Sequence, residues 1–248
     1  MSADSKSRFS DRVTNYVRYR PNYPREVFEL LSREVPLGRG ASVADVGSGT
    51  GISARRLAET GATVYAVEPN AAMRAAGEGD GIVSVDGAAE ATTLPDHSVD
   101  LVTAFQAFHW FDRAAARREF ARILRPEGTA ALVWNERVED ATPFLRRYEA
   151  LLREFAGDYL AVRHNAISEP DLAAWFGGGM RTARFENAQT FDYGGVLGRL
   201  MSSSYAPPEG DPRYLPMVTA LRRLFEETQE DGAVEFLYAT NAYYGPLG

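Results

Sequence analysis

Apolar runs bounded by turn residues alternate with helix-period patterns through the first half of the chain. Residues 41–46, 63–67, 82–85, 99–105 and 129–134 read as strands. Residues 52–60, 71–77 and 112–124 read as helices between them. In the last of these, Asp112 suits the N-cap, and Ala116, Phe120, Ile123 and Leu124 form an apolar stripe. Arg125-Pro126-Glu127-Gly128 then ends it. Repeated β-then-α units predict an α/β fold, with a mostly parallel sheet covered by helices on both faces.

After Trp134 the rhythm changes. Residues 143–156 and 212–230 are amphipathic helical patterns, with a shorter one over 168–176. Gly177-Gly178-Gly179 breaks the chain before residues 184–191, which alternate like a strand, and 234–243 make a last strand candidate. Pairing of those two at the sheet edge, as an antiparallel hairpin, makes the intervening stretch a helical cover of the same domain. The expected division is therefore an N-terminal arm and core over 1–135, followed by cover and last strands over 136–248.

Composition narrows the class. The 248 residues are 45% hydrophobic and 25% charged, as in ordinary globular proteins. The absence of cysteine excludes disulfides, thiolate metal sites and a cysteine nucleophile. A net charge of −7 opposes phosphate backbones, so neither a nucleic-acid nor a membrane partner is expected. The basic residues Arg117, Arg118, Arg122 and Arg125 read as a solvated helix face. Residues 1–12 lack the apolar core of a signal peptide, and no apolar run approaches the ~20 residues that span a bilayer. A cytoplasmic location is the expectation.

The sharpest local signal is Val43-Ala44-Asp45-Val46-Gly47-Ser48-Gly49-Thr50-Gly51, a buried strand running into three alternate glycines at the start of a helix. Glycine lets the backbone turn tightly and approach a ligand closely. A dinucleotide fingerprint needs its third glycine where Ile52 stands, and a phosphate-binding P-loop needs a Gly-Lys-Ser/Thr that is missing. The second strand ends in Glu68-Pro69-Asn70, placing a carboxylate where it can accept both hydroxyls of a ribose.

With these residues in view, the chain resembles the class I S-adenosylmethionine-dependent methyltransferases, and among them the small-molecule group that includes trans-aconitate methyltransferase. The resemblance rests on Tyr16-Val17-Arg18-Tyr19-Arg20-Pro21-Asn22-Tyr23-Pro24, Asp45 to Gly51, Val67-Glu68-Pro69, Gly87-Ala88-Ala89-Glu90, Gln106-Ala107-Phe108-His109-Trp110-Phe111 and Trp134-Asn135. Beyond Asn135 it is looser, mainly Ser203-Ser204-Tyr205-Ala206-Pro207 and the final strand.

It implies a Rossmann-like sheet of seven strands, mostly parallel with an antiparallel edge strand, and S-adenosylmethionine lying across the strand ends. The product is S-adenosylhomocysteine. Carried over by position, Asp45, Gly47, Ser48, Gly49 and Gly51 bed the methionine part and ribose, and Glu68 with Pro69 holds the ribose. Gly87, Ala88 and Ala89 contact adenine through the backbone, since Ala88 replaces the aspartate of many relatives. Gln106 serves the methionine moiety through its carbonyl.

The remaining candidates each have a second reading. Tyr16, Tyr19, Arg20 and Tyr23 suit an arm folded over the cofactor, with Arg20 favoured at its carboxylate; they equally suit aromatic packing. His109 after the fourth strand suits a general base, or a ring packed between Phe108 and Trp110. Trp110, Asn135 and Tyr205 complete the expected acceptor contacts, with His164 and Trp175 in the cover. Arg146, Arg147 and Arg199 suit an acidic acceptor, yet each reads individually as a surface residue. The three histidines are dispersed and no catalytic metal is expected. The absence of an Asn/Asp-Pro-Pro-Tyr/Phe motif argues against adenine or glutamine-amide methylation, leaving a small-molecule acceptor. Two other readings stay open: a regulatory module that binds the cofactor without turnover, and, opposed by Ile52, an NAD-dependent oxidoreductase.

Overall fold

The computed structural model describes residues 17–35, 37–157, 159 and 167–248. Tyr16 and His164 lie outside the described residues. Seven strands form one sheet: β1 (Ser42–Val46), β2 (Thr63–Val67), β3 (Ile82–Val85), β4 (Val99–Phe105), β5 (Leu124–Arg137), β6 (Arg181–Phe191) and β7 (Val234–Gly245). Their order across the sheet is β3-β2-β1-β4-β5-β7-β6. The first five are parallel to one another. β7 runs antiparallel to both β5 and β6. The reversed strand thus sits one place in from the edge, and β6 takes the edge itself.

The interior strands are largely apolar because helices cover both faces. On one face, α1 (Arg25–Glu34) and α2 (Ile52–Ala58) bury Val27, Leu31, Ala54 and Leu57 against Val43, Leu101 and Val133. On the other, α4 (Arg113–Ile123) and α6 (Glu169–Phe176) bury Phe120, Ile123, Trp175 and Phe176 against Val102, Leu132 and Trp134. Between β2 and β3 lies α3 (Ala71–Ala76). A third cluster belongs to the cover, where α5 (Pro143–Phe155), α7 (Tyr193–Met201) and α8 (Tyr214–Thr228) pack on the first half of β7 through Leu152, Leu200, Leu221 and Phe236.

Local chemistry sets the helix starts. Asp112 Oδ1 accepts from Ala115 N at 3.0 Å, as its sequence position predicts, and Ser168 with Asp171 makes a reciprocal capping box on α6. Three details depart from the sequence reading. β5 runs from Leu124 to Arg137 because residues 125–128 bulge out of the ladder with β4 and because Glu136 and Arg137 pair with Ala239 and Tyr238 of β7. Trp175 is a core residue: its ring lies 4.8 Å from Phe108, and its indole donates to Arg113 O at 2.8 Å. Arg199 is only 6% exposed, inside the cover rather than on its surface. No helix among the described residues is long and apolar enough to cross a membrane.

Candidate active site

The site forms where β1, β2 and β4 end. Gly47, Gly49 and Gly51 all have left-handed backbones, with φ of 70°, 55° and 75°. At Gly47 a Cβ would lie 2.6 Å from that of Ala107, so only glycine lets the β1 and β4 loops approach. At Gly51 a Cβ would meet the carbonyl of Gly77 at 2.8 Å; this glycine caps α2 and seats it against the end of α3. The loop is hung on β2, with Gly47 N and Ser48 N both donating to Val67 O.

Glu68 closes the opposite wall. Its Oε2 accepts from Gly49 N at 3.0 Å and its Oε1 from Asn70 N at 2.8 Å. Burial pushes its pKa up, against these backbone donors and the Arg74 guanidinium. Asn70 also caps α3 by accepting from Ala72 N and Met73 N, and it lines the same pocket as Gly47, Ser48, Gly49, Thr50 and Glu68. Thr50 Oγ1 is buried there without a hydrogen-bond partner.

The third wall comes from β4. Gln106 takes a left-handed backbone, φ 53°, which costs a non-glycine residue of order 1–3 kcal/mol. Its side chain offsets this by bonding the neighbouring strand: Oε1 accepts from Asn135 N at 2.8 Å, and Gln106 N donates to Val133 O. Tyr23, Ile52, Ser53, Met73, Phe105, Ala107, Trp110 and Phe111 complete the lining.

The structure therefore gathers Gly47, Ser48, Gly49, Glu68, Gln106 and Trp110 around one pocket and gives other sequence candidates different positions. Asp45 is fully buried behind the loop, accepting from Ser53 Oγ at 2.7 Å and Thr103 Oγ1 at 2.8 Å. Burial raises its pKa to about 6 despite those two donors. It ties β1, α2 and β4 together. Gly87 occupies a tight turn, where a Cβ would meet Thr92 O at 2.7 Å. Ala88 exchanges both backbone hydrogen bonds with Ala91, and Ala89 is packed in the core. Pro69 and Gly51 lie beside the pocket rather than in its lining. His109 sits in a single 3₁₀ turn, Phe108–Trp110, with its ring 4.9 Å from Trp110 and outside that lining.

The expected acceptor residues act largely as ties. Asn135 Nδ2 donates to Asn22 O at 3.2 Å, and its Oδ1 accepts from Thr240 Oγ1 at 2.6 Å and Asn187 Nδ2 at 3.1 Å. The arm is thereby fixed to β5, β6 and β7. Tyr19 packs on Gly198 of α7, where a Cβ would fall 2.1 Å from the ring, and Arg20 Nη2 donates to Ser202 O at 3.1 Å. Tyr205 stacks edge-on with Tyr159 at 4.9 Å. Beside it the cover holds a buried group of Arg137, Glu149, Tyr148, Tyr159, Arg199 and Tyr238 that the sequence reading missed, except for naming Arg199. The available signal was alternation: Arg137 follows Asn135 by two residues and so faces the same side of β5.

This sheet order, with a glycine loop after β1 and an acidic end to β2, defines a Rossmann-like methyltransferase fold. Residues 44–132 match the family model described as a methyltransferase domain. The chain is 43% identical over 140 residues to an uncharacterised methyltransferase of Mycobacterium bovis, covering 55% of each chain. It therefore spans about half the length of that relative. An uncharacterised methyltransferase of Schizosaccharomyces pombe is 28% identical over 243 residues, 95% of each chain. Among solved structures, a protein of Anaeromyxobacter dehalogenans assigned as a type II methyltransferase superposes with a TM-score of 0.67 at 23% identity, covering 92% of this chain and 98% of that one. A methyltransferase of Geobacter sulfurreducens, solved with S-adenosylhomocysteine, superposes with a TM-score of 0.53 at 16% identity over 92% and 93% of the two chains. The structural likenesses show the fold; together with the domain match and the relatives they support a methyltransferase.

Proposed function

We propose that the protein transfers a methyl group from S-adenosylmethionine to an oxygen, nitrogen or carbon nucleophile of a small molecule. The observation that carries this is the apposition of Gly49 and Glu68 across the pocket at the ends of β1 and β2, with Gly49 N 3.0 Å from Glu68 Oε2. The residues present fit the cofactor: Gly47 and Gly49 line the pocket with backbone alone, and the buried Thr50 hydroxyl offers an unpaired polar atom. Gly47, Ser48, Gly49 and Thr50 would hold its methionine part and Glu68 its ribose; the segment at Gly87 and Ala89 is proposed to flank adenine. When bound, the cofactor supplies a methyl group made electrophilic by its sulfonium.

The chain's own contribution is alignment and exclusion of water, which can supply ~7–11 kcal/mol of such a barrier. Trp110 and Phe111 make an apolar wall, and Gln106 is fixed by Asn135. His109 remains a candidate proton acceptor for acceptors that need one, and acceptor choice is assigned to residues 136–230. Calorimetry with S-adenosylhomocysteine tests the pocket. Wild type is expected to bind, Glu68→Ala to bind more weakly by roughly 1–3 kcal/mol through lost charge-assisted hydrogen bonds, and Gly49→Val not to bind. Equal affinity in all three would remove the assignment, and binding without methyl turnover across an acceptor panel would favour a regulatory module.

A further inference from the structure

The sheet ends on a strand that is long, regular and open on one side. β6 pairs with β7 along its whole length of 11 residues, without the register shift found between β4 and β5. Its other edge carries no strand, and among the described residues no further segment makes a backbone hydrogen bond to it. Such an edge is a template for another strand, and folds that keep it single blunt it with a bulge, a proline, a lysine or a covering segment. β6 contains neither proline nor lysine.

Its side chains sort by face. Ala183 and Phe185 pack on the side held by α1 and α2, whereas Thr182, Arg184, Glu186, Ala188 and Thr190 alternate to the other side and are exposed. That side is an open groove lined by β6, β7 and Val138. Arg181 is committed to Glu34 within the chain. The side chains of Arg184 and Glu186, two residues apart on the open side, make no hydrogen bond or salt bridge among the described residues; Arg184 contributes only a through-space attraction to Glu136.

We propose that two copies of the chain pair edge to edge through β6, antiparallel and centred on Phe185, so that one sheet runs through both. A two-fold axis normal to the sheet passes through one residue set opposite itself, and opposed residues then share a face. Centred on Arg184 the axis sets arginine against arginine, and on Glu186 glutamate against glutamate. Centred on Ala183 or Asn187 it sets both charges against neutral residues. At Phe185 alone, each Arg184 meets the partner's Glu186, twice over, while the two Phe185 rings meet at the axis. The overlap runs from Arg181 to Gln189 on each strand, held by ladder hydrogen bonds and by these cross-strand pairs. It does not depend on the methyl-transfer reading.

The test uses the full chain. Sedimentation equilibrium from about 1 to 100 μM protein is expected to show the mass rising from that of one 27.3 kDa chain toward twice that value. Glu186→Arg and Arg184→Glu each set like charges across both pairs and are expected to weaken association by about 10-fold or more. The double exchange, R184E with E186R, restores opposite charges in this register and is expected to return association to near that of wild type. Both positions are exposed, so circular dichroism is expected to stay unchanged in all three variants. The chain has no cysteine, and Thr190→Cys therefore accepts a single spin label. The register sets Thr190 opposite the partner's Met180, which places the two labels about 34 Å apart along the strands, with each register step changing this by about 7 Å.

A single-chain mass over the whole concentration range overturns the proposal and leaves the edge to a strand of a different protein. The proposal is equally overturned by a dimer that ignores the single charge reversals, by one that the double exchange fails to restore, or by labels held a register step or more from the expected distance.

Discussion

At the glycine-loop end of the sheet, polar groups are placed by backbone; in the helical cover they are placed by long side chains. Glu68 is held between two amides, Gly49 N and Asn70 N, in a loop itself fixed by hydrogen bonds to β2. Arg137 holds Glu149 and Arg199 holds Tyr238, through side chains from β5, α5, α7 and β7. The first arrangement depends on where a Cβ is forbidden. The second depends on charge balance in a dry interior, and a single truncation there leaves a buried ion behind.

The sharpest break of this contrast is Glu149→Ala, which strips Arg137 of its only carboxylate among the described residues; loss of about 3–5 kcal/mol in urea unfolding is expected, since removal of one partner leaves the other buried and charged. On the loop side, Gly51→Val combines a left-handed backbone with a clash against the Gly77 carbonyl and is expected to lose about 2–4 kcal/mol, together with S-adenosylhomocysteine binding.

Asp45 supplies the pH test. Its pKa rises from 3.8 to about 6 on folding because burial disfavours its charge. The folded protein therefore holds a proton that the unfolded chain releases between those values, and stability falls as pH rises through that window. Asp45→Asn is expected to flatten this decline, worth on the order of 2–3 kcal/mol, when unfolding is followed from pH 4 to pH 7. An unchanged slope would remove Asp45 as its source. The smallest effect is expected at the exposed Arg147–Glu227 pair, where Arg147→Ala should cost under about 1 kcal/mol. A larger loss would show that the surface of the cover, not its interior, carries its stability.

The two regions were also unequally legible in the sequence. Strands β1, β2 and β4 were placed within a residue or so because parallel interior strands are apolar runs and the glycines between β1 and α2 serve a local backbone need. Glu68 and the N-cap Asp112 were legible for the same reason. In the cover, Gly194, Gly195 and Gly198 obscured α7, and their use is tertiary: Gly198 makes room for the Tyr19 ring. Arg199 resembles any surface arginine until β7 brings Tyr238 to it. Asp45 and Asn135 were read as ligand contacts from their motifs. Their hydrogen bonds, which no spacing along the chain reveals, make them struts.

The place of β7 bears on how the molecule assembles. β6 is synthesised before β7 but meets the sheet only through it, by pairs from Arg181↔Tyr244 to Phe191↔Val234. Until β7 docks on β5, β6 has no ladder to join, and the helices between them have only half a surface to pack on. The parallel core can therefore form early from near-neighbour units. Closure of the cover waits on a long-range pairing, a slow class of event, and until then Arg137 stays open to water. Deleting the residues of β7 should release β6, α7 and α8 together while leaving the glycine loop hung on β2.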